Sequence, residues 1–98
     1  MSATIYEVVL HREALGELRA LSPSLRARVK EAIDNLALEP RPHGASPLQG
    51  HRHAYRLRFG DHRLIYEVHA LEVVVFVVGI AHRKEVYRHL LRRRTMKP

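Results

Sequence analysis

Residues 55–68 read YRLRFGDHRLIYEV, and this stretch decides the fold. Tyr55, Leu57 and Phe59 alternate with Arg56 and Arg58; after Gly60-Asp61, Leu64, Tyr66 and Val68 alternate with Arg63, Ile65 and Glu67. A period of two predicts strands, and glycine at the first of two loop positions predicts a tight hairpin. With Gly60-Asp61 as the loop, Phe59 pairs with His62, Arg58 with Arg63, Leu57 with Leu64 and Arg56 with Ile65. Tyr55 and Tyr66 then face each other on the core side, where packing is the expected role. Arg58 and Arg63 fall directly opposite on the other face, with Arg56 two residues along. Like charges across a strand pair are destabilising, so fold stability alone does not place them there. A bound phosphate reverses the sign, because guanidinium groups grip phosphate oxygens bidentately. The plainer reading is the polar face of a surface hairpin; a His-Arg-Lys run at 82–84 weighs against it.

Downstream, Val73 to Ile80 is apolar without alternation, the pattern of a strand covered on both faces, hence in the middle of a sheet. Gly79 marks a bulge or a close backbone approach. A short turn near Ala70-Leu71 puts Val78 beside Arg63, and brings Ala81–Lys84 to the arginine end of the sheet. Val86 and Leu90, with Tyr87 and Leu91, give helical spacing over Arg83 to Arg93.

Upstream, Glu39 to Gly50 holds Pro40, Pro42, Gly44 and Pro47 and reads as a loop. Leu25, Val29, Ile33 and Leu36 predict a helix from Pro23 to about Leu38, with Ser22 as N-cap and Pro23 at its first position. Ala14, Leu15, Leu18 and Leu21 predict another from Arg12, so the two form an αα-hairpin. Ile5 to Leu10 reads as a strand. The fold class is α+β: an N-terminal strand, an αα-hairpin, a three-stranded antiparallel meander and a C-terminal helix, with the helical hairpin on one face of the sheet.

Ninety-eight residues make one domain, 1–98. The formal charge is +7, and 14 of the 17 basic residues are arginine. Residues 1–49 carry six basic and six acidic groups; residues 50–98 carry eleven and four, so the whole excess lies in the second half. A polyanion is the natural partner. The absence of cysteine excludes disulfide scaffolds, Cys-based zinc sites and a Cys nucleophile. No stretch is long enough to span a membrane and the N-terminus lacks a signal pattern, so a cytoplasmic location is expected. The eight histidines show no HExxH or comparable ligand pattern, so no metal or other cofactor is expected, although His51 and His53 share a side if that segment is extended. There is no Gly-rich phosphate loop. The Arg92-Arg93-Arg94 run reads as a solvated tail with general polyanion affinity.

YRLRFGDHRLIYEV, followed by VVVFVVGIAHRKEVYRHLL at 73–91, resembles the second half of the RelE/ParE toxin superfamily, and is most similar to RelE-type mRNA interferases of type II toxin–antitoxin systems. PLQGHRHAYRLRFG resembles the family's passage from loop into strand, and HRKEVY the start of its last helix. The motif-level likeness covers about Pro47 to Leu91. The resemblance implies a toxin that inhibits translation and arrests growth. It implies a ribosome-dependent endoribonuclease that cuts mRNA in the A site without metal, by attack of a ribose 2′-hydroxyl on the adjacent phosphate. It implies an acidic RelB-like antitoxin, through which a higher-order complex sits on operator DNA. By position it implies Arg58, Arg63, His82, Arg83 and Tyr87 as catalytic residues, with Arg56, Lys84 and Arg88 as RNA-binding ones. Several guanidiniums suit a doubly charged phosphorane, and a tyrosine can stack on a base.

In one respect the chain departs from the best-known members: arginine stands at 56 and 58 where they have lysine. Arginine keeps its proton in proteins, so neither residue is a general base. His82 is the first candidate for proton transfer, because histidine as a residue type can both donate and accept a proton in the physiological range, ahead of Glu67 and His62. Two other classes remain open: a ParE-like toxin that binds DNA gyrase and cuts nothing, and an inactive basic domain of the same fold.

Overall fold

The computed structural model describes residues 4–82 and 92–95. In chain order the elements are β1 (Glu7–Leu10), α1 (Arg12–Arg19), α2 (Pro23–Asn35), β2 (Ser46–Pro47), β3 (Ala54–Phe59), β4 (His62–His69), β5 (Val74–His82) and a 3-10 turn at Arg92–Thr95. Residues 83–91 of the expected C-terminal helix lie outside the described residues, and its end at 92–93 belongs to the 3-10 turn.

The hairpin register is the expected one: Phe59 opposite His62, Arg58 opposite Arg63, Leu57 opposite Leu64 and Arg56 opposite Ile65. Gly60 alone in the loop has a positive φ, +62°, as a turn with glycine at its first central position requires. The sheet order is β1-β5-β4-β3-β2, so β5 does lie inside the sheet. β1 pairs with it in parallel, from Glu7 opposite Val74 to Leu10 opposite Val77. Parallel pairing needs a crossover, and α1 with α2 begins the one that joins β1 to the meander. The two-residue strand β2, unforeseen in the proline-rich loop, pairs Ser46 with Arg56 and Pro47 with Tyr55.

The β4–β5 register differs from expectation. The turn runs from Ala70 to Val73, longer than a two-residue loop, and Val73 itself has φ +57°. A bulge follows: Tyr66 pairs with Val77 but Ile65 with Gly79, leaving Val78 as the extra residue beside the glycine that signalled it. Both shifts act in the same sense. Arg63 therefore lies opposite Ala81 rather than Val78, and β5 continues to His82, opposite His62.

The helices cover one face of the sheet. Ala14 and Leu18 of α1 and Val29 and Ile33 of α2 pack with Leu64, Tyr66, Val68, Val75, Val77 and Ile80, all buried. At about 1.5–3 kcal/mol per large apolar side chain, this layer is the main driving force for the fold. On the other face Ile65, Phe76 and Val78 form a second buried cluster, which explains why β5 lacks alternation. The α1 N-cap is His11: fully buried, its Nδ1 accepts from the Glu13 amide at 3.1 Å. Ser22 and Pro23 begin α2 as expected, although the serine side chain makes no capping bond.

Tyr66 ties the loop after α2 to the sheet. Its ring stacks on Tyr55 at 5.8 Å and its hydroxyl donates to the Pro40 carbonyl at 2.8 Å. Burial, and then the nearby Tyr55, push its pKa above the ordinary value of 10.0. The neutral phenol is the form the fold holds, so this contribution is whole below about pH 10 and is lost as pH rises beyond it. Tyr66→Phe is expected to cost about 1 kcal/mol at neutral pH and to lessen the alkaline fall in urea-denaturation stability. An unchanged alkaline limb in the variant would assign that fall elsewhere.

Candidate functional site

Alternation in β3 and β4 sends Tyr55, Leu57, Phe59, Leu64 and Tyr66 towards the helices and Arg56, Arg58, Arg63, Ile65 and Glu67 to the opposite face. The sheet therefore brings Arg56, Arg58 and Arg63 together at the hairpin end, as expected. Their surroundings differ. Arg58 is exposed and Arg56 half-buried, whereas Arg63 is buried. The Arg63 Nη1 donates to the carbonyls of Gly60 at 3.1 Å and His62 at 3.2 Å. These carbonyl dipoles hold the guanidinium at the turn and offset repulsion from Arg58. Arg63 thus has a structural reason for its place, which the like-charge argument alone did not supply. The arrangement presents several guanidiniums on one face, suited to a phosphodiester backbone.

His82 reaches the same end of the sheet but not the same side. It pairs with His62, and their rings meet edge to face at 5.2 Å. His62 continues the row of Leu64 and Tyr66, so the two imidazoles sit on the helix side while Arg58 and Arg63 sit on the other. Glu67 shares the arginine face but is buried and held by His69, whose Nε2 lies 2.8 Å from its Oε1. Arg83, Lys84, Tyr87 and Arg88 lie outside the described residues. His51 and His53 precede β3 in a turn and share no strand; no group of three metal-ligating side chains occurs among the described residues.

On the RNA-cleaving activity that the resemblance implies, His82→Gln is accordingly expected to stay within a few-fold of the parent rate in a single-turnover assay on programmed ribosomes. A positioned acid or base contributes about 10²–10⁴-fold, so a loss of that size with a histidine-like inflection in the pH–rate profile would restore His82 to the chemistry.

Arg93 corrects the reading of the C-terminal arginines. Arg92 is exposed, but Arg93 is only 4% exposed. β1 ends opposite Val77, so among the described residues the next part of β5 has no strand neighbour on that side. A bidentate ion pair covers this edge: the Arg93 Nη1 and Nη2 donate to the Glu17 Oε1 and Oε2 at 3.0 and 2.9 Å. Glu17 also accepts from the Ile80 amide at 2.9 Å, and Arg93 donates to the Val78 carbonyl at 3.2 Å. The carboxylate holds the Arg93 guanidinium pKa above its ordinary value. Sequence reasoning missed this pair because its members are 76 residues apart. The one local signal was a glutamate near the apolar stripe of α1.

Among the described residues no helix is long and apolar enough to cross a membrane. Residues 8–87 match the family described as ParE toxin of type II toxin-antitoxin system, parDE. The mRNA interferase toxin RelE of Escherichia coli is 33% identical over 92 residues, spanning 90% of this chain and 96% of that protein. Among solved structures, a free-state variant of the E. coli toxin RelE superposes with a TM-score of 0.76 at 28% identity, covering 91% of this chain and 97% of its own. The archaeal RelE of a RelE–RelB complex from Pyrococcus horikoshii gives 0.73 at 29% identity, covering 84% and 99%. The likeness in sequence runs from β1 beyond β5, and that in architecture takes in the helical hairpin and the sheet. On both grounds the chain belongs to the RelE/ParE superfamily of toxins from type II toxin–antitoxin systems.

Proposed function

We propose that this protein is a ribosome-dependent endoribonuclease that cuts mRNA in the A site and is silenced by an acidic RelB-like antitoxin. The observation that carries the reading is the row Arg56, Arg58 and Arg63 on one face of a hairpin, in a chain 33% identical to an mRNA interferase toxin over nearly its full length. The RelE–RelB complex among its structural relatives supports the partner. The reaction needs no metal. The 2′-hydroxyl oxygen bonds to the adjacent phosphorus as the bond to the 5′-oxygen breaks, leaving a 2′,3′-cyclic phosphate and a 5′-hydroxyl; the hydroxyl proton is lost and the 5′-oxygen gains one. Arg58 and Arg63, with Arg83, stabilise the phosphorane, and Tyr87 stacks on a base. Arg56, Lys84 and Arg88 hold the RNA. With arginine at 56 and 58 and His82 across the sheet, the chemistry rests on electrostatics and alignment of the 2′-hydroxyl on the ribosome. The place of action is the cytoplasm, and the antitoxin carries the toxin to operator DNA.

A second reading, a gyrase-binding toxin that cuts nothing, has one observation in its favour: the matching family is described as the ParE toxin. Purified chain added to programmed ribosomes is expected to give a primer-extension stop within the A-site codon and to leave gyrase supercoiling unchanged. The reverse pattern would establish the gyrase reading. Inactivity in both assays, with no growth arrest on expression, would make this an inactive basic domain.

A further inference from the structure

We propose that the cleft where α2 meets the end of β3 is a subsite for one unstacked RNA base, and that it sets the base preference beside the cut; this rests on the nuclease reading above. β2 covers β3 only at Tyr55 and Arg56, so among the described residues no strand lies along that side of β3 past Arg56. The space left between the strand, α2 and the loop after α2 is a cleft of about 380 Å³. That is within the range of about 300–1,000 Å³ typical of small-ligand pockets. Ala32, Asn35, His43, Leu57, Arg58 and Phe59 line it. One turn before Ala32, the Arg28 guanidinium lies 5.9 Å from the centre of the Phe59 ring.

These groups match one chemistry. Leu57, Ala32 and the Phe59 ring offer an apolar and aromatic surface for a base, as proteins that bind single-stranded nucleic acid do. Asn35 and His43 are exposed at the rim, and an amide can donate to and accept from one base edge together, which is how a base is told from its competitors. Arg28 brings positive charge to the cleft and Arg58 to the adjoining face across the edge of β3, suited to the phosphates on either side of one base. Arg58 borders this cleft where β3 forms its wall and sends its side chain to the arginine face, so the exposed edge of β3 joins the two, and the nucleotide that enters is an mRNA residue neighbouring the phosphate that face holds. An acidic peptide could use the two arginines, but it has no use for a flat apolar slot with a base-reading amide.

The experiment uses the full chain and has two arms. In the first, nucleoside 5′-monophosphates are titrated in while backbone amide resonances are followed. Asn35, His43 and Gly44 are expected to shift, more for one base than the rest, and Asn35→Ala to abolish the difference. In the second, parent and Asn35→Ala cleave a panel of A-site codons on programmed ribosomes. The variant is expected to lose about tenfold of the discrimination between bases at one codon position while cutting the poorest codons at the parent rate. Asn35 is exposed on a helix, so alanine there preserves the fold. Unchanged discrimination in the variant overturns the proposal. So do nucleotide shifts confined to Arg56, Arg58 and Arg63, or cleft shifts produced by an acidic antitoxin peptide and not by nucleotides. If the parent does not cleave at all, the nuclease reading fails by itself. The titration then decides the cleft: base-selective shifts there keep it as a nucleotide site, and their absence removes it.

Discussion

Arg58→Ala is expected to lower single-turnover cleavage on programmed ribosomes by about 10²–10³-fold, the usual loss when one preorganised donor to a developing anion is removed. Its stability should stay within about 0.5 kcal/mol of the parent, because the side chain is exposed and removing it relieves repulsion from Arg63. Arg63→Ala is expected to lose activity on the same scale for a mixed reason. Its guanidinium bonds two carbonyls of the hairpin turn, and charge-assisted bonds of this kind contribute about 1.5–3 kcal/mol each. Both bonds come from one Nη1, so together they count as about one, and relief of the like-charge contact offsets about 0.2–1 kcal/mol, for a net cost of about 1–2 kcal/mol. Urea denaturation beside the cleavage assay separates the two effects: Arg58→Ala moves only the rate, Arg63→Ala moves both. Parent-like cleavage by both variants would make the row an ordinary polar face.

Glu17→Ala is expected to be among the most destabilising single substitutions, at about 3–5 kcal/mol. It takes the bidentate carboxylate from the buried Arg93 guanidinium, leaving Glu13 at 3.7 Å, and takes the side-chain acceptor from the Ile80 amide. The lower end of the range is expected, because the Glu17 side chain is 28% exposed against 4% for Arg93 and keeps some contact with water. Small domains are stable by about 5–15 kcal/mol, so this one pair accounts for a large share. Glu17→Gln retains an acceptor for Ile80 and should cost less. The double substitution with Arg93→Ala should cost less than the sum of the singles, since neither charge is then left buried alone. A loss below about 1 kcal/mol for Glu17→Ala would put the pair with ordinary surface salt bridges and contradict its burial.

The expectations that were met and those that were not divide by the range of the interactions behind them. The β3–β4 register could be read residue by residue because a two-residue loop with glycine first admits little slack, and a one-residue slip would send Leu57, Leu64 and Tyr66 into water. The next register could not, since a longer turn and a bulge leave the apolar pattern of β5 equally satisfied on both faces. Position within β5 therefore carried no signal, and Arg63 met Ala81 instead of Val78. His82 shows the consequence for the site. Its place along the sheet was legible, but which side it faces depended on that register.

Alternation, helical spacing and the Gly60-Asp61 turn are local, so the sequence by itself determined the α+β class, the succession β1, α1, α2, β3, β4, β5 and the clustering of Arg56, Arg58 and Arg63. Its charge count likewise placed the whole positive excess in the second half. The parallel seating of β1 on β5, the Glu17–Arg93 pair over the β5 edge and the cleft between α2 and β3 were decided only in three dimensions. Each joins segments far apart in the chain. What selects them is the need to satisfy strand-edge amides and carbonyls and to bury both faces of β5, a condition that exists only once the sheet has formed.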